Sequence, residues 1–367
     1  MTQKIPWAQP EIDESELKQV LDSFDVNWLT MGPKVKKFEQ TMADYLGVTE
    51  AIAVTNGTVA LDLALKCLGI GPGDEVIVPA MTYFATASAV SYQHATPVFV
   101  DIDSTSFNLD PDKIEKALSP KSKAIMFIDY GGNPANIEGI KEVAKKHNLI
   151  LLHDAAQSLG GIYQGKLLGA HTPVSTMSFH MAKVMTTVEG GMIFTNIKEL
   201  AEELRIRRNQ GESAKYLHSH LGTNARMTDL NAAIGLAQFK KLPWMLKERQ
   251  RVSKRYDDHF KNHQRIQVAS CQRSNSQNSY FFYPVLVNGR DSVVDHLKKN
   301  GIDTRIAYSL PPYKQELYSK ERVTFRKMNC PVAEEFTSKV INLPIFPSLD
   351  NEKIDTIASE VLKVLEL

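Results

Sequence analysis

Residues 123–155 read KAIMFIDYGGNPANIEGIKEVAKKHNLILLHDA and decide the fold. Two almost continuously apolar runs, KAIMFIDY (123–130) and LILLHDA (149–155), flank a stretch with helical spacing. Apolar runs of this length are typical of strands that are covered on both faces, and the stretch between them is long enough for a crossover helix. The pattern therefore predicts two parallel strands joined by a helix.

The same alternation continues on both sides of this unit. Two further stretches, TVALDLALKCLG and YFATASAVSYQH, have the length and spacing of crossover helices. Five more β-rich runs accompany them: AIAVT (51–55), DEVIVPA (74–80), TPVFVDI (96–102), VSTMSFH (174–180) and GGMIFTN (190–196). The sequence thus predicts an α/β fold with a mostly parallel, seven-stranded sheet flanked by helices.

The C-terminal third has a different pattern. A long helical stretch begins near residue 231 and is expected to break at Pro243, and it is followed by a β-rich run at 280–289 and a closing helix. We expect a large domain over residues 1–239, which includes the N-terminal segment, and a smaller α+β domain over 240–367. A chain of 367 residues is long enough for both.

Composition excludes several classes of protein. The net charge of +1 creates no global field for nucleic acid or an anionic membrane, so any anionic ligand needs a local site. No apolar run approaches the roughly eighteen residues that span a bilayer, and the N-terminus lacks the apolar core of a secretory signal. Cys67, Cys271 and Cys330 lie far apart, and the histidines lack metal-ligand spacing. We therefore place the chain in the cytoplasm and expect no metal, nucleic-acid or membrane partner.

Two glycine-rich stretches fail as nucleotide-binding motifs. GIGPG (69–73) precedes a strand, whereas a dinucleotide fingerprint follows one. GGIYQGK (160–166) has the spacing of a Walker A loop, but Leu167 stands where a hydroxyl must reach magnesium. A nicotinamide-dependent sugar epimerase or dehydrogenase is therefore disfavoured.

Three features near the ends of predicted strands are candidates for one site. The tripeptide NGT (56–58) follows a strand and opens a helix, where free N–H groups suit a phosphate, although a helix cap without a ligand explains it too. Asp154 ends the strand LILLHD, where open parallel sheets bind ligands, or it caps the following turn. Lys183 lies in a loop after a later strand, where lysines are commonly just exposed.

Together these features match the requirements of pyridoxal phosphate. A lysine amine condenses with the aldehyde of this cofactor and later moves protons. An acid that faces the pyridine nitrogen keeps it protonated, since a pair of unit charges about 4 Å apart is worth roughly 4 kcal/mol at an effective dielectric constant of 20. Tyr83, just past the strand DEVIVPA, could stack on the cofactor ring or could simply pack in the core.

Longer sequence blocks extend along almost the whole chain. In order, they are WLTMGPKVKKFE (28–39), NGTVALDLAL (56–65), GIGPGDEVIVPAMTYFATASAV (69–90), ATPVFVDID (95–103), HDAAQSLGG (153–161), SFHMAKVMTTVEGGMIFT (178–195), NARMTDLNAAIGLAQ (224–238) and NLPIFP (342–347). In these blocks the chain resembles the sugar aminotransferases of the DegT/DnrJ/EryC1/StrS family. That resemblance implies the aspartate aminotransferase fold (fold type I) and pyridoxal 5'-phosphate as cofactor.

The resemblance implies roles around the cofactor ring. Lys183 would be the Schiff-base lysine, and Asp154 would partner the pyridine nitrogen. Tyr83 would stack on the ring, and Gln157 would lie near the ring oxygen.

It also implies a phosphate site that two subunits share. Thr58, the amide of Gly57, and Ser178 would hold the phosphate within one subunit. Asn224 would reach the phosphate of the neighbouring subunit, so a homodimer with shared active sites is expected.

The reaction that the resemblance implies is a ping-pong amino transfer through the Lys183 Schiff base. The amino group would come from L-glutamate and go to a keto carbon, C3 or C4, of a nucleotide-linked deoxysugar. The product would feed the synthesis of polysaccharides, glycans or antibiotic sugars. The alternative is a non-catalytic regulatory or sensor protein with the same fold, which the set of Lys183, Asp154, Ser178 and Asn224 disfavours.

Three positions depart from the pattern that the resemblance implies. Asp129 stands where relatives commonly have histidine, and His153 stands where an acid is more usual. The segment RIAYSLPPY (305–313), which ends in Tyr313, lacks histidines that relatives often carry. We expect this region to contact the sugar.

Overall fold

The computed structural model describes residues 4–25, 27–269 and 274–366. Its strands are β1 (Glu50–Val54), β2 (Glu75–Pro79), β3 (Thr96–Val100), β4 (Ser122–Ile128), β5 (Ile150–Asp154), β6 (Ile162–Tyr163), β7 (Lys166–Leu167), β8 (Val174–Ser178), β9 (Gly191–Thr195), β10 (Glu212–Ala214), β11 (Leu217–His218), β12 (Ile266–Val268), β13 (Tyr283–Val287), β14 (Arg326–Lys327) and β15 (Val340–Leu343). Its α-helices are α1 (Glu14–Asp25), α2 (Pro33–Leu46), α3 (Gly57–Cys67), α4 (Phe84–Tyr92), α5 (Pro111–Ile114), α6 (Ile137–Lys146), α7 (Lys198–Arg208), α8 (Asp229–Phe260), α9 (Arg290–Lys299), α10 (Glu316–Ser319), α11 (Pro331–Lys339) and α12 (Asn351–Glu366). Short 3-10 turns cover Glu115–Ala117, Tyr130–Gly132 and Pro312–Lys314.

The central sheet confirms the predicted fold class but contains one more strand than expected. Its order is β1-β9-β8-β5-β4-β2-β3-β14, and all seven predicted runs are strands in it. Only β9 runs antiparallel to its neighbours, so the sheet is mostly parallel. The eighth strand, β14, pairs with β3 at the edge. It has only two residues and comes from the C-terminal part of the chain, so it carries no periodic signal.

The predicted crossovers are confirmed as α3, α4 and α6. Because β4, β5 and β8 are parallel neighbours, their carboxyl ends meet at one edge of the sheet. The central strands are buried along nearly their whole length, which explains the continuous apolar runs. Residues that directly follow these strands are therefore brought together on a rigid base.

The two glycine-rich stretches form turns, as predicted. Residues 69–73 connect α3 with β2, and Gly69 and Gly73 both have positive φ angles (72° and 89°) that glycine adopts without strain. Residues 160–166 contain the small hairpin of β6 and β7, and no helix follows directly.

The C-terminal part contains a second, antiparallel sheet of β12, β13 and β15. Helix α8 leads into this part without interruption, so the break expected at Pro243 is wrong. A proline inside a helix costs about 3 kcal/mol, but α8 packs against α1, α2 and α12 and buries Leu242 and Met245 on either side of it. The expected domain boundary at 239/240 falls inside this helix, and the division into two domains stays a prediction.

Within the described ranges, no helix is both long and apolar enough to cross a membrane. In the same ranges, no group of three or more histidine, cysteine, aspartate or glutamate side chains is placed to hold a metal ion. Cys67 and Cys330 are free thiols. Cys271 lies outside the described residues.

Candidate active site

The carboxyl ends of β4, β5 and β8 open into a cavity of about 840 Å³. Its walls also include the start of α3, the start of α4 and the segment 305–308. Seven of the residues proposed from the sequence line this one cavity: Gly57, Thr58, Tyr83, Asp154, Gln157, Ser178 and Lys183. The eighth, Asn224, lies elsewhere on an exposed segment.

Lys183 and Asp154 are the charged pair in the floor of the cavity. The Nζ atom of Lys183 lies 4.4 Å from the centroid of the Phe281 ring. Burial lowers the pKa of Lys183 to about 8, although the carboxylate of Asp154 opposes this shift. Burial raises the pKa of Asp154, while a hydrogen bond from Thr86 and the charge of Lys183 act in the opposite direction. The lysine is thus easier to deprotonate than an exposed lysine.

Two threonines fix the orientation of the Asp154 carboxylate. Thr86 Oγ1 donates a hydrogen bond of 2.7 Å to Oδ2 of Asp154. The Thr82 and Thr86 hydroxyl oxygens lie 2.7 Å apart. Because Thr86 already donates its proton to Asp154, Thr82 must donate to Thr86 in this second hydrogen bond. The N–H of Ala156 donates to Oδ1 at 3.3 Å. This network holds the carboxylate on the cavity side of β5.

The start of α3 forms another part of the cavity wall. Asn56 caps the helix, because its side chain accepts a hydrogen bond of 2.9 Å from the N–H of Val59. The N–H groups of Gly57 and Thr58 belong to the first turn and have no intrahelical acceptor. A Cβ atom on Gly57 would lie 2.9 Å from Cβ of Ser178, so α3 and β8 approach closely here. An anion at this corner would find N–H donors, hydroxyls and the positive end of a helix dipole.

Gln157 and the aromatic residues form the opposite wall. Oε1 of Gln157 accepts a hydrogen bond of 2.7 Å from the N–H of Gly131, and its Nε2 donates to the Tyr308 hydroxyl at 3.2 Å. The rings of Tyr83 and Tyr308 lie 5.6 Å apart, and Tyr83 is 57% exposed at the cavity mouth. Tyr83 directly precedes α4, so a helix start carries it. An aromatic face is therefore available to a planar ligand.

Several lining residues were missed by the sequence analysis, notably Thr82, Phe281, Tyr308, Arg305 and Trp7, and so was Thr86, which lies behind the wall and orients Asp154. Thr86 lies inside one of the quoted blocks and Tyr308 inside a quoted segment, but neither residue type points to chemistry by itself. Trp7 and Arg305 are almost three hundred residues apart, and no local pattern joins them. Thr82 lies shortly after β2, so a search of strand ends could have found it, whereas the other residues do not directly follow a strand.

Asp129 and His153, the two residues that depart from the family pattern near the ends of β4 and β5, do not line the cavity. Asp129 and His153 are fully buried and bind each other, with 2.6 Å between Nε2 of the histidine and Oδ2 of the aspartate. Ser158 Oγ donates to the same oxygen at 2.6 Å, and the N–H of Ala135 donates to Oδ1 at 2.9 Å. The two departures therefore form one buried pair that links the ends of β4 and β5 with the loops that follow them.

Tyr313 does not line the cavity either. Its ring packs 5.5 Å from that of Phe99, and its hydroxyl donates a hydrogen bond of 2.9 Å to Glu334. The side chains of Asp129, His153 and Tyr313 are thus used in packing, whereas residues 305–308 of the segment RIAYSLPPY line the cavity. Contact between this segment and the sugar stays a prediction.

Comparisons with known proteins agree with this geometry. Residues 10–362 match the DegT/DnrJ/EryC1/StrS aminotransferase family. GDP-perosamine synthase of Caulobacter vibrioides is 37% identical over 99% of this chain and 98% of its own. A pleiotropic regulatory protein of Geobacillus stearothermophilus is 34% identical over 94% of this chain and 93% of its own.

Solved structures give the same result. DesV of S. venezuelae, solved in complex with a ketimine intermediate, has a TM-score of 0.95 at 32% identity and covers 100% of both chains. A likeness of this extent includes the sheet, the cavity and the C-terminal part together. The chain therefore belongs to the DegT/DnrJ/EryC1/StrS aminotransferase family.

Proposed function

We propose that this protein is a pyridoxal-phosphate-dependent aminotransferase that acts on a nucleotide-linked keto-sugar. The observation that carries the proposal is the single cavity that holds Lys183, Asp154 and the open start of α3. Family membership supports the reaction class, and the likeness to GDP-perosamine synthase supports the sugar substrate.

The residues of the cavity fit this cofactor. The glycine at 57 leaves space beside Ser178 that a Cβ would occupy, and the first-turn N–H groups there suit a phosphate. Lys183 offers an amine whose lowered pKa favours reaction with an aldehyde, and Asp154 offers a buried carboxylate. Pyridoxal phosphate, when bound, supplies a conjugated ring that accepts the electrons released when a C–H bond of the amino donor breaks.

Lys183 has two roles in this proposal. Its Nζ would hold the aldehyde end of the cofactor, and the free amine would be placed to accept and return a proton of the amino donor. A pKa of about 8 suits both roles, because about a tenth of the amine is unprotonated at pH 7, far more than for an exposed lysine. The ring of Phe281 beneath Nζ limits the paths along which the side chain can move.

Asp154 would hold a proton on the ring nitrogen of the cofactor. Thr86 donates to one oxygen of its carboxylate and the N–H of Ala156 donates to the other, so the group is held in a fixed orientation in the cavity wall. Tyr83 would cover one face of the ring, and Gln157, held by Gly131 and Tyr308, would stand at its edge.

We further propose L-glutamate as amino donor and a homodimer with shared sites. Asn224 supports the second point, since it is exposed and outside the cavity of its own chain. The adjoining segment exposes large apolar side chains, with Tyr216 79% and Leu221 76% exposed. A second copy that covers this segment would bury them and could bring Asn224 to the neighbouring phosphate site.

A non-catalytic regulator or sensor is the second candidate. The likeness to a pleiotropic regulatory protein favours it. A sensor could keep the cavity for ligand binding, but it would transfer no amino group.

The test is amino transfer with defined acceptors. The cofactor-loaded protein is incubated with L-glutamate and with GDP-, UDP- or dTDP-linked 3-keto or 4-keto deoxysugars, and mass spectrometry detects the amino sugar. We expect one acceptor to be aminated, Lys183→Ala to abolish the product, and the exposed-site control Lys247→Ala to leave it unchanged. If 2-oxoglutarate forms from glutamate but no sugar is aminated, the sugar substrate is wrong. If neither product forms, the sensor is favoured.

A further inference from the structure

One corner of the cavity is built from two segments that are distant in sequence. The N–H of Ile5 donates to the carbonyl of Gly301, and the N–H of Asp303 donates to the carbonyl of Ile5, both at 2.9 Å. These bonds hold the N-terminal segment against the strand-like stretch that ends at Arg305. Trp7 and Arg305 are thereby placed side by side, and both line the cavity.

Arg305 presents its guanidinium on a fixed backbone. Its own N–H donates to the carbonyl of Asn342 at 3.1 Å, and the N–H of Asn342 donates back at 2.8 Å. The guanidinium carbon lies 5.1 Å from the centroid of the Trp7 ring. The Trp7 ring in turn packs 5.7 Å from Phe282. Stacking restricts the guanidinium to one plane and leaves its N–H edges free to bind a planar anion.

Two polar groups at this corner lack a partner. Arg305 is the one arginine in the described ranges whose guanidinium makes no hydrogen bond or ion pair with another residue there. Nε1 of Trp7 is buried and has no acceptor in the same ranges. Arg305 is exposed, so its guanidinium is available to solvent or to a ligand in the cavity, whereas only the Trp7 Nε1 atom is a buried donor without an acceptor.

Arg305 is the cation of the cavity that remains available to a substrate anion. Among the described residues that line the cavity, Lys183 and Asp154 are assigned to the cofactor, and His180 lies 3.7 Å from Glu189. The start of α3 already provides for the cofactor phosphate. Because the net charge of the chain is only +1, a substrate anion depends on a local cation.

We propose that Arg305 and Trp7 form an anchor for an anionic group of the substrate, with Arg305 binding its oxygens and the Trp7 ring supporting the guanidinium. This anchor rests on the proposed function, because it assigns part of the same cavity. Two substrate groups have the required chemistry: the carboxylate of the amino donor and the diphosphate of the nucleotide-linked sugar. Both present oxygens that a guanidinium binds in pairs.

The two candidate groups, carboxylate and diphosphate, are tested separately in the cofactor-loaded full chain. In the first titration, the donor arm, L-glutamate is added and the change of the cofactor absorbance is measured. In the second, the nucleotide arm, binding of GDP, UDP and dTDP is measured by calorimetry. The variants are Arg305→Gln, Arg305→Lys and Trp7→Phe, which keeps the aromatic stack. Arg322→Gln is the matched control, since it removes an exposed arginine that pairs with Glu316 away from the cavity.

We expect Arg305→Gln to lower the affinity measured in one of the two arms by about 10- to 100-fold, because a charged hydrogen-bonding partner is lost. In the same arm, Arg305→Lys should keep part of the wild-type affinity, and Trp7→Phe should lose less affinity than Arg305→Gln. The affected arm identifies the anion, a carboxylate for glutamate or a diphosphate for the nucleotides. The Arg322→Gln control should match the wild type.

Several results would overturn the anchor. If the wild type responds to glutamate and all three variants retain its affinities in both arms, the anchor is wrong and the proposed function stands. If the wild type does not respond to glutamate but Arg305→Gln loses nucleotide binding, the anchor stands and the aminotransferase is wrong. If the wild type binds none of the probes, the anchor is wrong as well.

Discussion

Replacing Asp129 by alanine should lower the free energy of unfolding by about 3–5 kcal/mol, as loss of one partner of a buried pair does. Asp129 and His153 are both fully buried, with 2.6 Å between their polar atoms. The same carboxylate accepts hydrogen bonds from Ser158 Oγ at 2.6 Å and from the N–H of Ala135 at 2.9 Å. Each buried donor left without an acceptor costs about 1–3 kcal/mol, so three of them bring the loss into this range after partial relaxation.

Asp355→Ala is the matched control. Asp355 also accepts bonds from two side chains, Arg255 at 2.6 Å and His259 at 2.9 Å, but it lies at the surface. Exposed pairs contribute about 0–1 kcal/mol. In urea unfolding with a slope of about 3 kcal/mol per molar, Asp129→Ala should shift the midpoint by about 1 M or more, and Asp355→Ala by about 0.3 M or less.

Two further measurements test the physical reason. Burial alone would raise the pKa of Asp129, but His153 and the hydrogen bonds hold it below its ordinary value of 3.8. Its contribution is therefore present above pH 3.8 and is lost as the pH falls through the lower folded value, so the deficit of Asp129→Ala should shrink in acid. A double-mutant cycle with His153→Ala should give a coupling of about 1–3 kcal/mol. A midpoint shift at neutral pH no larger than that of Asp355→Ala would refute the reasoning.

Three other predictions follow from the cavity. Because the pKa of Lys183 is lowered, the folded, cofactor-free protein binds fewer protons than the unfolded chain between about pH 8 and 10.5. Its thermal unfolding midpoint should therefore rise with pH in this range, and Lys183→Met should remove that rise. An identical pH profile for the variant would contradict the lowered pKa. Gly57→Ala should weaken binding of pyridoxal phosphate at least about tenfold in a titration, because the added Cβ would press on Ser178. The control Gly71→Ala should not change this affinity, because there is open space around Gly71. Equal affinities of the two variants would reject a phosphate site at the start of α3. Asn224→Ala should speed loss of the cofactor from the proposed dimer, measured by dilution; an unchanged rate would reject a role across subunits.

The large sheet was predictable because its signals are local. Each central strand is covered on both faces, so runs such as KAIMFIDY are apolar over their full length. The edge strand at Arg326–Lys327 was not predictable, since its pairing with Val98 and Phe99 depends on contacts across more than two hundred residues. The helix through Pro243 was missed for a similar reason, because packing on neighbouring helices outweighs the local cost of proline.

The grouping of the candidate residues in one cavity was predictable where they end a strand or begin a helix after one. Asp154, Ser178 and Gly57 have such positions, and the parallel sheet brings them to one edge. Thr86, whose hydroxyl orients Asp154 from 68 residues away, gave no signal of its own. Nor did the pairing of Asp129 with His153, because sequence shows two unusual residues and only the structure shows that they bind each other.

The visible absorbance spectrum of the purified protein, before and after addition of L-glutamate, tests the central claim most directly. We expect a yellow cofactor band that bleaches with glutamate, and we expect borohydride added beforehand to fix the cofactor to the peptide containing Lys183. Lys183→Ala should lose the fixed adduct, whereas Lys247→Ala should keep both signals. Absence of any cofactor band after incubation with pyridoxal phosphate, or a band that glutamate leaves unchanged, would contradict the account.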